Sequence, residues 1–272
     1  MKKATSIILT AMLIFTTGCS LFSPYDQEYG VYLSDDFDDL DKELNCKTIV
    51  IDAQYYTKAE IAQIHEKNGT VLSYVNVGSL ENFRDYFEDF EDLTLAPYEH
   101  WEGEYWIDVS EKRWQDFLVE EVGQSLKDKG VDGFFIDNTD VYYVFHEDKI
   151  YEGLVSIMKR LKAMDMKVII NGGDNFVSRC IDENGTIKGV LDGVNQESVF
   201  TTIDWDNDSF RENDEEETEY FLAYLKKVKK AGGEVYVLEY SQDQDITKKA
   251  IKKCHKLGYT VYVSDSLELT SQ

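Results

Sequence analysis

The side chains of greatest chemical interest are polar residues that close otherwise apolar runs. Asp52 ends TIVID, Asp137 ends GFFID and Asn171 ends KVIIN, while Glu197 ends a more polar strand-like run, GVNQE. Tyr74 with Asn76, and Glu239 with Tyr240, stand in the same place in two further runs, and Asp265 follows a last one. A carboxylate at the end of a buried run costs desolvation energy unless something compensates it, so several together argue for one shared site rather than for packing. Two facing carboxyl groups can cleave a glycosidic bond, one donating a proton and the other serving as nucleophile or base. Other hydrolytic chemistries lack their residues: there is no GxSxG elbow and no readable Ser-His-Asp set. His65, His100, His146 and His255 form no HxxH or HExxH, so neither a metal nor a cofactor is expected. Asn171-Gly172-Gly173 is too short to cradle a phosphate.

These run ends need elements that bring them to one place. Strand-like runs occur at 29–33, 48–52, 71–77, 133–137, 167–171, 193–197, 234–240 and 259–264, separated by amphipathic stretches. That alternation is the pattern of a parallel sheet with crossover helices, and TIVID, VDGFFID and KVIIN are the continuous apolar runs that strands buried on both faces require. Eight of them predict an α/β chain folded as a single (β/α)8 barrel over 28–272, with its site at the C-terminal strand ends. Thr57-Lys58-Ala59-Glu60 reads as a capping box ahead of Ile61 and Ile64. Ser110 reads as the cap of a helix carrying Trp114, Phe117, Leu118 and Val122 and ended by Gly130. Ile150, Leu154, Ile157, Met158 and Leu161 form another stripe; Tyr220, Phe221, Tyr224, Leu225 and Val228 form a third, and 246–257 a last helix stopped by Gly258. All are expected to be core. A ninth strand candidate, 105–108, falls in a long excursion after the third strand and is placed outside the barrel.

The ordered motifs Ile51-Asp52-Ala53-Gln54-Tyr55, Tyr74-Val75-Asn76-Val77-Gly78, Gly133 to Tyr142, Asn171-Gly172-Gly173 and Asn195 to Phe200 resemble those of the endo-α-1,4-polygalactosaminidases, glycoside hydrolase family 114. The resemblance runs from about Tyr29 to Leu267. It implies a (β/α)8 barrel, a partly deacetylated α-linked galactosamine polymer as substrate, and an Asp/Glu catalytic pair that maps onto Asp137 and Glu197. Asp137 is then the expected nucleophile and Glu197 the expected general acid/base, the latter needing a raised pKa, with retention of configuration. Asp52, Tyr74, Asn76, Asn138, Asp140, Tyr142, Asn171 and Tyr240 are the expected substrate-binding residues. Tyr55, Tyr56, Trp101, Trp106, Tyr142 and Tyr143 are candidates for flat faces against sugar rings. The alternative is a surface lipoprotein that binds polysaccharide without cleaving it.

A formal net charge of −25 disfavours nucleic acid as a partner, since binding it requires phosphate neutralisation. Acidic runs at 35–41, 88–92 and 204–217 follow strands and are expected on the active face, where a negative rim would concentrate a cationic sugar polymer. Asp204, Asp206, Asp208 and Glu215 match four positions of a calcium loop, but Ser209 stands where that loop needs Gly, and a solvated loop is expected instead. At the N-terminus, Lys2 and Lys3 precede an apolar stretch from Ile7 to Phe15 and then Gly18-Cys19. This is the layout of a lipoprotein signal over 1–18, with Cys19 acylated and 19–27 a tether, placing the protein on the outer face of the membrane or outside the cell. Cys46, Cys180 and Cys254, odd in number and widely spaced, read as buried thiols, although one pair could bridge. A monomer is expected.

Overall fold

Eight parallel strands stand where the apolar runs put them: β1 Gln27–Tyr32, β2 Cys46–Ile51, β3 Thr70–Asn76, β4 Gly133–Asp137, β5 Lys167–Asn171, β6 Gly193–Glu197, β7 Glu234–Tyr240 and β8 Thr260–Ser264. The computed structural model describes residues 23–37, 44–99, 101–205, 207 and 209–271; Cys19 and the signal lie outside them. Each strand is hydrogen-bonded in parallel to the next in chain order. The barrel is nearly closed, with the Tyr32 and Tyr262 rings 5.4 Å apart and the Leu33 N–H donating to the Leu269 carbonyl at 3.0 Å across the β1–β8 seam.

Strand parity sorts the side chains into two cores. Odd and even residues point to opposite faces of a strand. Val31, Val50, Leu72, Tyr74, Phe135, Ile169, Leu238 and Tyr240 pack inside the barrel, while Ile49, Ile51, Val71, Phe134, Ile136, Val168, Ile170 and Val237 pack outward under the helices. Phe134 and Leu118 lose essentially all contact with solvent, and each such burial contributes about 1.5–3 kcal/mol. The same parity makes Asp137, Asn171, Glu197 and Tyr240 end their strands facing inward. Glu239 is one residue out of step. It points outward, where its carboxylate accepts the N–H groups of Val199, Phe200 and Thr201 and the Thr201 hydroxyl, tying down the loop after β6.

The excursion after β3 folds back as a three-stranded antiparallel sheet of Ser79–Glu81, Thr94–Pro97 and Glu104–Ile107, so the ninth strand lies outside the barrel. The Thr57/Glu60 capping box forms. Ser110 does not cap the following helix. Asp108 accepts both its hydroxyl and its N–H, and the helix begins at Lys112 behind Glu111. In the third stripe, Tyr224, Leu225 and Val228 are buried, but Tyr220 is exposed and donates its hydroxyl to Asp174 at the barrel mouth. Cys46, Cys180 and Cys254 are buried free thiols.

Candidate active site

Asp137 and Glu197 end β4 and β6, and Asn171 ends the strand between them. The Asn171 amide nitrogen donates to Asp137 Oδ1 at 3.0 Å and to Glu197 Oε1 at 2.6 Å. Those two oxygens are therefore at most about 5.6 Å apart, the sum of the two distances. The polarity of this amide is held from beneath. Asn195 Nδ2 donates to Asn171 Oδ1 at 2.7 Å, and the Tyr29 hydroxyl donates to Asn195 Oδ1 at 3.1 Å inside the barrel. Every donor in the chain is matched to an acceptor, so both carboxylates meet N–H groups rather than a carbonyl.

The outer oxygens are held as well. Tyr240 donates to Glu197 Oε2 at 2.7 Å, and the Tyr74 hydroxyl sits 3.1 Å from Asp137 Oδ2 and 3.2 Å from Glu81 Oε1, one proton before two acceptors. Burial, and then the negative charge of Glu197, push the Asp137 carboxyl up to about 7 against the pull of Asn171. Two carboxylates sharing one amide resist being charged together, so the extra proton belongs to the pair rather than to Asp137 alone. The residues that follow the pair, Asn138 and Ser198, are both left-handed, with φ of 62° and 56°. Each turns the chain sharply away once its carboxylate has been delivered. Gly78 allows the β3 end to close on this turn, since a Cβ there would lie 1.7 Å from the Asn138 carbonyl oxygen.

The expected substrate-binding residues divide. Asp52, Tyr74, Asn138, Asp140, Asn171 and Tyr240 line one cleft of about 630 Å³ with the catalytic candidates. Within it, Asn171, Tyr74 and Tyr240 spend their polar groups on the carboxylate pair. Asp140, pushed up to about 6 by burial and then by Asp174, accepts the Gly173 N–H. Asn76 is buried behind the wall, with its carbonyl oxygen taken by Ser79 and Asn138. Tyr142 is also buried and turned away, accepting from Arg179 and stacking on His146. Of the aromatic candidates, Tyr55 and Trp101 line the cleft and are exposed. Tyr56, Trp106 and Tyr142 are core, and Tyr143 is exposed but does not line the cleft.

Three charged residues of the excursion were not among the expected site residues. Arg84 is buried between Asp52 Oδ2, at 2.8 Å, and Glu81 Oε2, at 2.5 Å, and its guanidinium lies 5.0 to 5.9 Å from the rings of Phe83, Tyr55 and Tyr74. Glu104 Oε1 accepts from Asn76 at 3.0 Å, from Asn138 at 2.9 Å and from the Ser79 hydroxyl. Phe83, Tyr98 and Trp205 add further aromatic lining. A strand-end rule cannot find residues from an antiparallel insert; the available signal was the polar spacing Ser79, Glu81, Arg84 within it. Of the acidic runs, Glu88, Asp89, Glu91 and Asp92 do not line the cleft, whereas the third run brings in Trp205. The calcium reading needs Asp206 and Asp208, which lie outside the described residues.

The sequence profile of glycoside-hydrolase family GH114 matches residues 19–270. The chain is 22% identical over 236 residues to an uncharacterized protein of Methanocaldococcus jannaschii, covering 78% of this chain and 65% of that protein's length. The fold is similar to the glycoside hydrolase domain of PelA from Pseudomonas aeruginosa, with a TM-score of 0.74 at 17% identity over 91% of this chain and 97% of that one. It is also similar to Aspergillus fumigatus Ega3 in complex with galactosamine, with a TM-score of 0.69 at 15% identity over 92% and 95%. At such identities the two structures establish a shared barrel, while the profile spans nearly the whole sequence. The chain belongs to glycoside-hydrolase family GH114.

Proposed function

We propose that this enzyme is an endo-acting hydrolase of partly deacetylated, α-linked galactosamine polysaccharide that retains anomeric configuration through Asp137 and Glu197. The observation that carries the reading is the amide of Asn171 bonded to both carboxylates, which keeps two of their oxygens within about 5.6 Å. Retaining pairs stand about 5–5.5 Å apart, and inverting pairs need about 6.5–9.5 Å to admit a water. Asp137 attacks the anomeric carbon as Glu197 gives its proton to the departing glycosidic oxygen. Glu197 then takes a proton from water, which displaces Asp137 and restores both groups. Tyr240 orients Glu197 and Tyr74 holds the second oxygen of Asp137. The galactosamine bound to Ega3 supports the choice of sugar, and exposed Tyr55, Phe83, Trp101 and Trp205 along the cleft suit stacking against a polymer. The test is incubation of the mature domain with α-linked galactosamine polymers, followed by NMR of the first products. The α anomer is expected first; an initial β product would establish inversion, and no cleavage would end the substrate assignment.

For localisation, we propose a lipid on Cys19 of a monomeric enzyme. The chain enters β1 at Gln27, on the barrel face opposite the cleft, so a tether from Cys19 leaves the mouth free to meet polymer. Cys19→Ala is expected to move the protein from the membrane fraction to the soluble fraction and to abolish incorporation of labelled fatty acid. Retention of the variant in the membrane fraction, with no label on the wild type, would refute the anchor.

A further inference from the structure

We infer that Glu104 is the residue that selects a free amine on the substrate, holding the ammonium of a 2-amino sugar beside Asp137; this rests on the galactosaminidase reading and sharpens it. Three neutral donors, Asn76, Ser79 and Asn138, converge on Glu104 Oε1. The side chain lines the cleft and is half-buried, and among the described residues no group hydrogen-bonds Oε2 or forms an ion pair with Glu104. Oε1 is thus fixed by the wall, and no hydrogen bond from the wall holds Oε2. The two acidic neighbours in the same wall differ: Asp52 and Glu81 are both ion-paired with Arg84.

Charge decides what the free oxygen receives. The described lining residues include eight carboxyl groups (Asp52, Glu81, Glu104, Asp137, Asp140, Asp174, Glu197 and Glu268), of which Asp137 and Glu197 share one proton, and a single cation, Arg84. A neutral sugar hydroxyl does not require that excess, whereas an ammonium is attracted by it and makes a charge-assisted hydrogen bond about twice as strong as a neutral one. Position agrees with charge. Asn138 follows Asp137 directly and donates to Glu104, so the clamp is attached to the turn that presents the nucleophile. In a 2-amino sugar the amine is on the carbon next to the one Asp137 attacks. Burial raises the Glu104 carboxyl, while its hydrogen bonds from Ser79 and Asn76 draw it down.

The experiment compares binding of galactosamine oligosaccharides with that of matched N-acetylated oligosaccharides by calorimetry, using the full mature enzyme and its Glu104→Gln variant at two salt concentrations. The Gln carbonyl can accept the same three donors, and thermal unfolding checks that the clamp survives. Wild type is expected to prefer the amine, more so at low salt. Glu104→Gln is expected to lose roughly tenfold or more in affinity for the amine oligosaccharide and to stay within about twofold on the acetylated one. Ser79→Ala, which loosens the clamp without removing charge, is expected to keep the preference. Equal loss on both ligands, unchanged preference in Glu104→Gln, or no amine preference in wild type would overturn the assignment. Turnover is measured separately. Wild type that prefers the amine but cleaves neither polymer would defeat the galactosaminidase reading, and the affinity ratio would still decide Glu104.

Discussion

Asp137→Asn and Glu197→Gln are each expected to lower kcat by about 10²–10⁴-fold or more, the span that general acid–base and nucleophilic groups contribute, with the fold intact. Both replacements keep the side-chain shape at an inward-facing strand end. They also separate two roles that simple loss of activity would merge. Asp137 is held near 7 instead of its ordinary 3.8, chiefly by burial and then by Glu197. Between those values the folded protein keeps a proton that the unfolded chain releases, so the stability from this group is complete below about pH 4 and lost as pH rises through about 7. Asp137→Asn removes that loss. At pH 8 it is expected to stabilise the domain by on the order of 1–2 kcal/mol, after allowing for the partial solvent access of the carboxyl, or roughly 3–6 °C in Tm. Wild-type kcat/KM is expected to fall above about pH 7, when the pair gives up its shared proton. Steady-state kinetics and calorimetry measure both effects. Near-wild-type turnover in either variant would remove that residue from the mechanism, and a Tm unchanged at pH 8 would show that Asp137 is not strained by its charge.

Arg84→Met is the other substitution with a large expected effect, this time on stability. The guanidinium is buried with Asp52 and Glu81 on either side and aromatic rings around it. Removing one member of a buried ionic group leaves uncompensated charge, which costs about 3–5 kcal/mol, or on the order of 10 °C in Tm for a chain of this size. Replacing all three members together, with Asp52→Asn and Glu81→Gln added to Arg84→Met, is expected to recover much of that loss, because the stranded charges go with the cation. A loss below about 1 kcal/mol in the single variant, read from urea unfolding at pH 7, would show that the triad is solvated and that its wall is not held by charge.

The sequence by itself determined the barrel and the polar strand ends at its mouth, from which the family resemblance singled out Asp137 and Glu197. Most of the buried strands are apolar runs, so their ends and the polar residues that close them are legible from local order, and Asp137, Asn171 and Glu197 stand together at the ends of consecutive strands. Parity, a local property too, carries the reason that Glu239 turns outward while Tyr240 faces the pair. What only the tertiary structure decided are contacts between residues far apart in the chain. Tyr29 reaches Asn195 across 166 positions to orient Asn171, and the Glu81–Arg84 pair closes on Asp52 from an insert whose return path no periodicity encodes. The same insert brings Glu104 against Asn76 and Asn138, so both asparagines donate to a carboxylate that no local pattern placed beside them. Exposure of the aromatics was likewise settled by folding. Tyr55 and Tyr56 are neighbours in the sequence, yet one lines the cleft and the other is core, because a side chain's surroundings depend on which elements pack over it.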